Sequence, residues 1–256
     1  MKPVNAIIQE VRSETPSIRT YRFDLSLNPA PGQYAMVWVH GADEIPMGFS
    51  GPETITVNAV GDATRALFKL SPGSSLGIRG PLGNGFTLVG DKILLIGGGV
   101  GVAPLAYLGE TAHDLGLEVD SLIGFRSADD MIFRSRFMHL GKTVLTTDDG
   151  SIGIHGRVSA GLAGLDLESY SQIYLCGPEM MMWDVISRTK DHASRIQACI
   201  NRYFKCGIGL CGSCCLDPEG IRVCKEGPVI QADRLLDSEF GRYRRGPAGD
   251  KGPCRG

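Results

Sequence analysis

Four cysteines near the C-terminus constrain the fold of this chain more than any other feature. The spacing C-x4-C-x2-C-x9-C joins Cys206, Cys211, Cys214 and Cys224. Glycines at positions 207, 209 and 212 lie beside or between the first three of them. Glycine permits a positive φ and lets backbone N–H groups approach a sulfur atom closely. We therefore predict that this loop wraps a metal cluster.

The opening x4 and x2 spacing is that of plant-type [2Fe–2S] loops. Two bridging sulfides leave each iron in need of two further ligands, so the cluster needs four thiolates. Cys215 follows Cys214 directly, but only Cys214 keeps the x2 spacing and is assigned as the ligand. A zinc site, which more often shows two C-x2-C pairs, and structural thiols or disulfides stay open as alternatives. The spacing favours a one-electron carrier.

Size and composition limit the remaining possibilities. A length of 256 residues suits two domains, and 43% hydrophobic with 21% charged residues indicates a globular protein. A net charge of −2 gives no support for nucleic-acid binding. The N-terminus has no apolar signal region, and the longest apolar runs are too short to span a membrane. We expect a cytoplasmic protein, without a membrane segment, whose thiols stay reduced.

The first ninety residues predict a small antiparallel β-barrel. Short segments rich in β-branched or aromatic residues are typical of strands at 4–12, 18–25, 33–40 and 54–60. Turn sequences with proline, glycine or asparagine separate them, and there is little helical periodicity between. Several strands at such intervals favour a barrel.

After Gly90 the pattern changes to alternating strands and helices. Strands are predicted at 92–96, 118–125, 143–147 and 172–175, and helices at 104–115, 129–140, 158–162 and 179–188. This alternation predicts a doubly wound parallel sheet, and a further strand at 195–200 leads into the cysteine loop. The predicted units are a barrel at 1–89, an α/β domain at 90–190, a cluster segment at 191–240 and a mobile tail at 241–256.

Two turns at one edge of this sheet are candidates for nucleotide binding. One strand ends, and a helix begins, at the glycine loop formed by Gly97, Gly98, Gly99 and Gly101. Free N–H groups and the helix dipole favour a phosphate there, although tight packing also explains the glycines. The second turn is formed by Cys176, Gly177 and Pro178. Its small residues leave room for a flat ring, but an ordinary strand–helix turn would also have a proline there.

Taken in order, these parts resemble the ferredoxin–NADP reductase superfamily, and more closely the electron-transfer subunits of NAD-dependent dihydroorotate dehydrogenase. The family-like stretches run over about residues 1 to 235 and comprise 31–39, 80–86, 97–104, 147–151, 176–178 and 206–228. The resemblance implies FAD on the barrel, a nicotinamide nucleotide on the sheet domain and a [2Fe–2S] cluster that faces a partner.

The resemblance also implies the route of the electrons. The partner would be an FMN-bearing catalytic subunit that oxidises dihydroorotate, in a heterotetramer with two copies of each subunit. Electrons would pass from FMN through the cluster and FAD to NAD, with no catalytic acid or base in this chain. Hydrogenase or sulfhydrogenase gamma subunits and NAD(P)H–ferredoxin oxidoreductase subunits share these modules and stay open, as does a zinc-bearing binding module without enzyme activity.

The flavin contacts follow from the same resemblance. Many members have Arg-Pro-x-Ser where the flavin docks, and the matching positions here lack the arginine: Met47, Gly48, Phe49 and Ser50. The remaining predicted flavin-binding positions are Thr56, Val57, Asn58, Ala63 and Thr64. Arg79 or Lys69 is the candidate charge for the FAD diphosphate. Arg126 and Ser127 suit either a 2′-phosphate or a ribose, so the choice of NAD over NADP comes from the family alone.

Overall fold

A computed structural model describes residues 2–254 and contains the predicted antiparallel barrel. Its strands are β1 (Val4–Ser13), β2 (Ile18–Phe23), β3 (Tyr34–Trp38), β4 (Glu44–Gly51), β5 (Thr54–Asn58) and β6 (Ser75–Leu82). They close in the order β1-β2-β5-β4-β3-β6. Helix α1 (Asp62–Leu67) follows β5 and contributes Leu67 to the barrel core, which also contains Tyr21, Phe49 and Ile55.

The second half forms the predicted parallel sheet with its helices. The first elements are β7 (Lys92–Gly98), α2 (Val102–Asp114), β8 (Glu118–Phe125), α3 (Arg134–Leu140), β9 (Thr143–Thr147) and β10 (Ile154–His155). They are followed by β11 (Gln172–Cys176), α4 (Glu179–Arg188) and β12 (Ile196–Cys199). The central strand β7 is buried on both faces, as its uninterrupted apolar run predicted.

Two of the predicted helices differ from what the sequence indicated, one in length and one in type. Only 134–140 of the predicted helix 129–140 is α-helical, because Phe133 has a φ of 60°, outside the helical region. Residues 158–164 form a 3₁₀-helix in place of an α-helix. The sheet therefore has fewer regular helices on the side of β9 and β10.

The cysteine segment begins and ends on the same sheet. Beyond β12 lie β13 (Cys215–Leu216), β14 (Ile221–Arg222), α5 (Val223–Glu226), β15 (Val229–Gln231) and α6 (Ala232–Leu236). Strand β15 pairs antiparallel with β12, which gives the sheet order β10-β9-β8-β7-β11-β12-β15. The sheet thus includes strands from the segment 191–240, and the unit boundaries drawn from the sequence stay a prediction.

Residues 244–252, within the tail that the composition predicted to be mobile, form a hairpin. The hairpin consists of β16 (Arg244–Arg245) and β17 (Lys251–Gly252). It is attached to the body because Arg244 pairs with Glu179, and Arg245 pairs with Asp217. Residues 255–256 of the predicted tail, and Met1, lie outside the described residues. No helix within residues 2–254 is long and apolar enough to cross a membrane.

Candidate functional site

The cysteine loop has the backbone conformation that its glycines predicted. Gly207, Gly209 and Gly212 have φ values of 67°, 81° and 73°, in the left-handed region that favours glycine. A Cβ on Gly207 would lie 2.9 Å from the Cγ of Met36 on β3. The loop therefore lies directly against the barrel, closer than other residue types allow.

The four thiols of the loop fall into two pairs. Cys206 lies near Cys211, and Cys224 lies near Cys214, whose Sγ accepts from the Cys224 N–H over 3.4 Å. In the part of the chain that the structure describes, no three His, Cys, Asp or Glu side chains converge on one point as ligands of a single metal ion. Two irons bridged by sulfides need two pairs of thiolates, so the arrangement fits a [2Fe–2S] cluster.

Backbone N–H groups point at three of the sulfur atoms. Gly209 N donates to Cys224 Sγ over 3.2 Å, Leu210 N to Cys206 Sγ over 3.4 Å, and Cys224 N to Cys214 Sγ over 3.4 Å. Such bonds stabilise thiolates and tune the potential of a bound cluster. The structure puts Cys214, and not its neighbour in the sequence, against Cys224.

The pKa values of two of these thiols move in opposite directions. Burial opposes ionisation of Cys206, but N–H groups of Ile208, Cys211 and Leu210 outweigh burial and lower its pKa to about 6. Burial, together with the Cys214 thiol, raises the pKa of Cys224 to about 12. Cys206 is thus the one of these two thiols that ionises readily near neutral pH.

Tyr34 of the barrel anchors the loop, a role that the sequence alone did not indicate. Its hydroxyl lies 3.1 Å from the Gly207 carbonyl oxygen and 2.7 Å from that of Cys224. The ring packs on Phe204 with the centroids 4.9 Å apart. Burial, with the Cys224 thiol nearby, raises the pKa of Tyr34, so the hydroxyl stays protonated and able to donate. The available signal was its place in the family-like stretch 31–39.

Arg79 contacts Cys206 and Glu44 and is not free to bind a flavin diphosphate. This corrects one of the two expectations for the residue that supplies the positive charge there. Its Nη1 donates to the Cys206 carbonyl oxygen over 2.9 Å, and the Nε and Nη2 atoms bond the Glu44 carboxylate. The side chain is only 9% exposed. Lys69, the other candidate, is exposed just beyond α1 and stays a prediction.

The predicted flavin stretch comprises the flavin-binding positions on β4 and β5, and it includes residues that face out of the barrel and residues that face in. Ser50 and Thr56 share a hydrogen bond of 2.9 Å, and Thr56 bonds Thr20 over 2.9 Å. Phe49 and Val57 are each 1% exposed and belong to the barrel core. The side chains of Phe49 and Val57 cannot reach a ligand on the outer face of the barrel. The predicted flavin contacts of these two residues are therefore limited to their backbone atoms.

The remaining flavin candidates lie on the same strands or just beyond them. Met47 packs partly into the barrel core, Gly48 is exposed, and Asn58 is half-buried at the end of β5. Ala63 and Thr64 are in the first turn of α1. The Thr64 hydroxyl already accepts from the N–H of residue 61 over 2.8 Å and so closes the turn that precedes the helix.

A cleft of about 320 Å³ beside Ser50 was missed in the sequence because distant segments form it. Its lining includes three arginines, Arg12, Arg22 and Arg136, and two carboxylates, Glu10 and Glu110. Arg136 reaches from α3, donates to the Ser50 carbonyl oxygen over 3.0 Å and pairs with Glu110 over 2.6 Å. Each of the three arginines is paired with a carboxylate, so the cleft brings guanidinium groups, and little net positive charge, to the barrel face that lacks the family arginine.

The two predicted nucleotide turns meet at the same sheet edge. Strands β7 and β11 are neighbours, with Gly97 opposite Cys176. A Cβ on Gly101 would lie 2.5 Å from the Cα of Gly177, so these backbones are in direct contact. Pro178 comes immediately before α4. The glycine loop and the second turn therefore form one surface.

The edge offers a helix N-terminus and glycine backbone, as a nucleotide phosphate requires. Gly99, with a φ of 53°, has no heavy atom within 4 Å of where its Cβ would be, so the turn is open on that side. Arg126 is exposed directly after β8, the strand next to β7. These positions fit a dinucleotide at the carboxyl ends of the strands.

The barrel, the sheet and the cysteine loop together define a ferredoxin-reductase-like electron-transfer protein. The NADH-dependent reduced ferredoxin-NADP oxidoreductase, studied for flavin-based electron bifurcation, has a chain with a TM-score of 0.80 at 25% identity, covering 90% of this chain and 91% of that one. The flavohem-like FAD/NAD binding domain of nitric oxide dioxygenase from Vibrio cholerae gives a TM-score of 0.70 at 20% identity, over 77% and 98%. The predicted fold class is confirmed.

Residues 201–236 match the iron–sulfur cluster binding domain of dihydroorotate dehydrogenase B. A probable electron transfer subunit of dihydroorotate dehydrogenase B (NAD(+)) from Methanocella arvoryzae is 50% identical over 253 residues, or 97% of this chain and 98% of that protein. Its counterpart in Methanocaldococcus jannaschii is 39% identical over 252 residues and 98% of both chains. The chain belongs to the family of dihydroorotate dehydrogenase B electron transfer subunits, as the resemblance indicated.

Proposed function

We propose that this chain passes electrons from an FMN-bearing subunit that oxidises dihydroorotate to NAD⁺, in the formation of pyrimidine nucleotides. It would do so with FAD and a [2Fe–2S] cluster, in the cytoplasm, within a heterotetramer of two copies of each subunit. Relatives that match nearly the whole chain bear the name of this electron transfer subunit, which supports the assignment.

One structural observation carries the proposal. Tyr34, which holds the cysteine loop at Gly207 and Cys224, is the cross-strand partner of Gly48 in the predicted flavin stretch. Adjacent strands lie about 5 Å apart, so the cluster loop and the flavin stretch are close neighbours on the barrel. When bound, the cluster exchanges single electrons and FAD links such steps to hydride exchange with a nicotinamide.

The residues of the chain have separate tasks in this account. Ser50 and Thr56 offer hydroxyl groups to the flavin. The arginines of the cleft, each paired with a carboxylate, are the candidate partners of its diphosphate. The glycine loop and residues 176–178 receive the nicotinamide nucleotide. Because Cys211 is exposed and Leu210 is 81% exposed, this end of the loop is open to the partner subunit.

The likeness to NADH-dependent reduced ferredoxin-NADP oxidoreductase supports a second candidate. In that case the chain would serve a reductase with the same cofactors, and its partner would take electrons from NAD(P)H. The identity of the subunit that copurifies with the chain separates the two functions, since only the first requires a dihydroorotate-oxidising partner.

The test is NADH formation from dihydroorotate by the complex of this chain with its FMN-bearing subunit. We expect Cys211→Ser to abolish this activity and to lower the iron content, because it removes one of four thiolates. Cys215→Ser is the matched control: Cys215 lies in the same loop but outside both thiol pairs, so the variant should keep its iron and its activity. A wild-type complex that never reduces NAD⁺ with dihydroorotate would contradict the proposal.

A further inference from the structure

Arg79 reaches out of barrel strand β6 and contacts the cysteine loop directly. Its Nη1 donates to the Cys206 carbonyl oxygen over 2.9 Å, while Nε and Nη2 donate to the two Glu44 carboxylate oxygens over 3.0 and 2.6 Å. A Cβ on Gly207 would lie 3.5 Å from Nη1. The guanidinium is therefore held in one orientation, with a strand on one edge and the loop on the other.

We propose that Arg79 is a positioning residue for the [2Fe–2S] cluster: it fixes the Cys206 peptide and sets a positive charge beside that ligand, which stabilises the reduced cluster. The inference rests on the proposed function, because it presupposes the cluster. An arginine stays protonated at any pH at which a protein is folded, so this charge is permanent. Arg79 bonds the backbone carbonyl oxygen of Cys206, itself a predicted cluster ligand, so no residue lies between the guanidinium charge and the cluster site.

The sign of the effect follows from the orientation of the pair. Reduction adds an electron to the cluster, and a nearby positive charge favours that state and raises the midpoint potential. The Glu44 carboxylate lies on the edge of the guanidinium away from Nη1, so the positive end of the pair faces the loop. With 9% of the Arg79 side chain exposed, water and salt screen the charge weakly.

Glu44 also connects this charge to the flavin side of the barrel. It begins strand β4, the strand that contains Gly48 and Ser50. The Arg79–Glu44 pair thus connects β4, which carries part of the predicted flavin stretch, to the cysteine loop. Removal of either partner is expected to act on the cluster potential, and the two removals are expected to act in opposite directions.

The experiment is a redox titration of the full chain, purified anaerobically with its cluster and followed by electron paramagnetic resonance. We expect Arg79→Gln to move the midpoint potential to more negative values, because the charge is lost. Glu44→Gln leaves Arg79 charged and uncompensated, so its potential should become more positive. Arg188→Gln breaks an exposed arginine–carboxylate pair with Asp184 on α4, and as the control it should match the wild type.

A second control separates charge from loop anchoring. Tyr34→Phe removes hydrogen bonding to the same loop and changes no charge. It should release the cluster faster than the wild type, without the opposed shifts in potential that the Arg79 and Glu44 variants show.

Each outcome decides the inference. Unchanged midpoint potentials in Arg79→Gln and Glu44→Gln overturn it. Loss of the cluster from both variants also overturns it, because an ion pair with a purely structural role would give that result. If only Arg79→Gln loses its cluster, a positive shift in Glu44→Gln supports the inference and an unshifted potential overturns it. A wild-type chain without a [2Fe–2S] signal after reconstitution would instead contradict the proposed function.

Discussion

Tyr34 ties the cysteine loop to the barrel with a single hydroxyl group. That hydroxyl has one proton to share between the carbonyl oxygens of Gly207 and Cys224, and these groups are buried. We expect Tyr34→Phe to lower the free energy of unfolding by about 1–2 kcal/mol, because buried acceptors lose their donor. Urea unfolding measures the change. Tyr203→Phe, at a partly exposed position before the loop, is the control, and an equal loss there would contradict the anchoring role.

The lowered pKa of Cys206 predicts a pH profile for the iron-free protein. With a pKa of about 6, this thiol is ionised above pH 6 and protonated below it. Alkylation of Cys206 by iodoacetamide should therefore be half-maximal near pH 6, as read by mass spectrometry of the modified peptide, because the thiolate is the nucleophile. A midpoint near 9, the value of an unperturbed thiol, would mean that the N–H groups do not stabilise the thiolate.

At the scale of elements, the glycine loop and α4 depend on a close approach of two backbones. A Cβ on Gly101 would lie 2.5 Å from the Gly177 Cα, and neither backbone atom can rotate away as a side chain would. We predict that Gly101→Ala weakens NADH binding by at least about tenfold and costs about 1–3 kcal/mol of stability. NADH titration and thermal unfolding measure the two effects.

Gly164→Ala is the matched control for the glycine loop, since nothing lies within 4 Å of its added Cβ. It should bind NADH as the wild type does. Normal NADH affinity in Gly101→Ala would show that the contact between the two turns is not needed for the nucleotide site.

Helix α4 is tied to the cysteine segment by a buried ion pair. Arg202 donates to both Glu179 oxygens over 2.8 and 3.0 Å, and the two side chains are 2% and 4% exposed. Arg202→Met should destabilise the protein by about 3–5 kcal/mol, because a buried carboxylate loses its main partner. Arg188→Met, which breaks an exposed pair, should cost only about 0.3–0.5 kcal/mol. Equal losses in chemical denaturation would contradict this assignment of stability to the buried pair.

The elements that the sequence predicted well are those with a strong local pattern. Strand β7 has an unbroken apolar run, and α2 follows it after a short turn. Strands β4 and β6 were not predicted, since β4 includes Pro46 and Gly48 and β6 includes Pro81. Proline and glycine lower strand propensity, but closure of the barrel supplies the pairing that holds both strands in place.

At the scale of the whole molecule, the candidate site combines local motifs with distant contacts. The cysteines and the glycine loop each lie within a short stretch of sequence, so their spacing alone predicted the chemistry. The contacts of Tyr34 with the loop span 173 and 190 residues, and that of Arg79 spans 127. Only the folded chain brings such residues together, and for that reason their roles could not be predicted from a pattern.

The proposed electron path runs across all three parts of the molecule, so one spectrum tests it most directly. The measurement is the ultraviolet–visible absorbance of anaerobically purified protein before and after addition of NADH. We predict flavin bands together with a broad [2Fe–2S] absorbance, both bleached by NADH. Folded protein that shows neither feature after reconstitution with iron, sulfide and FAD would contradict the account.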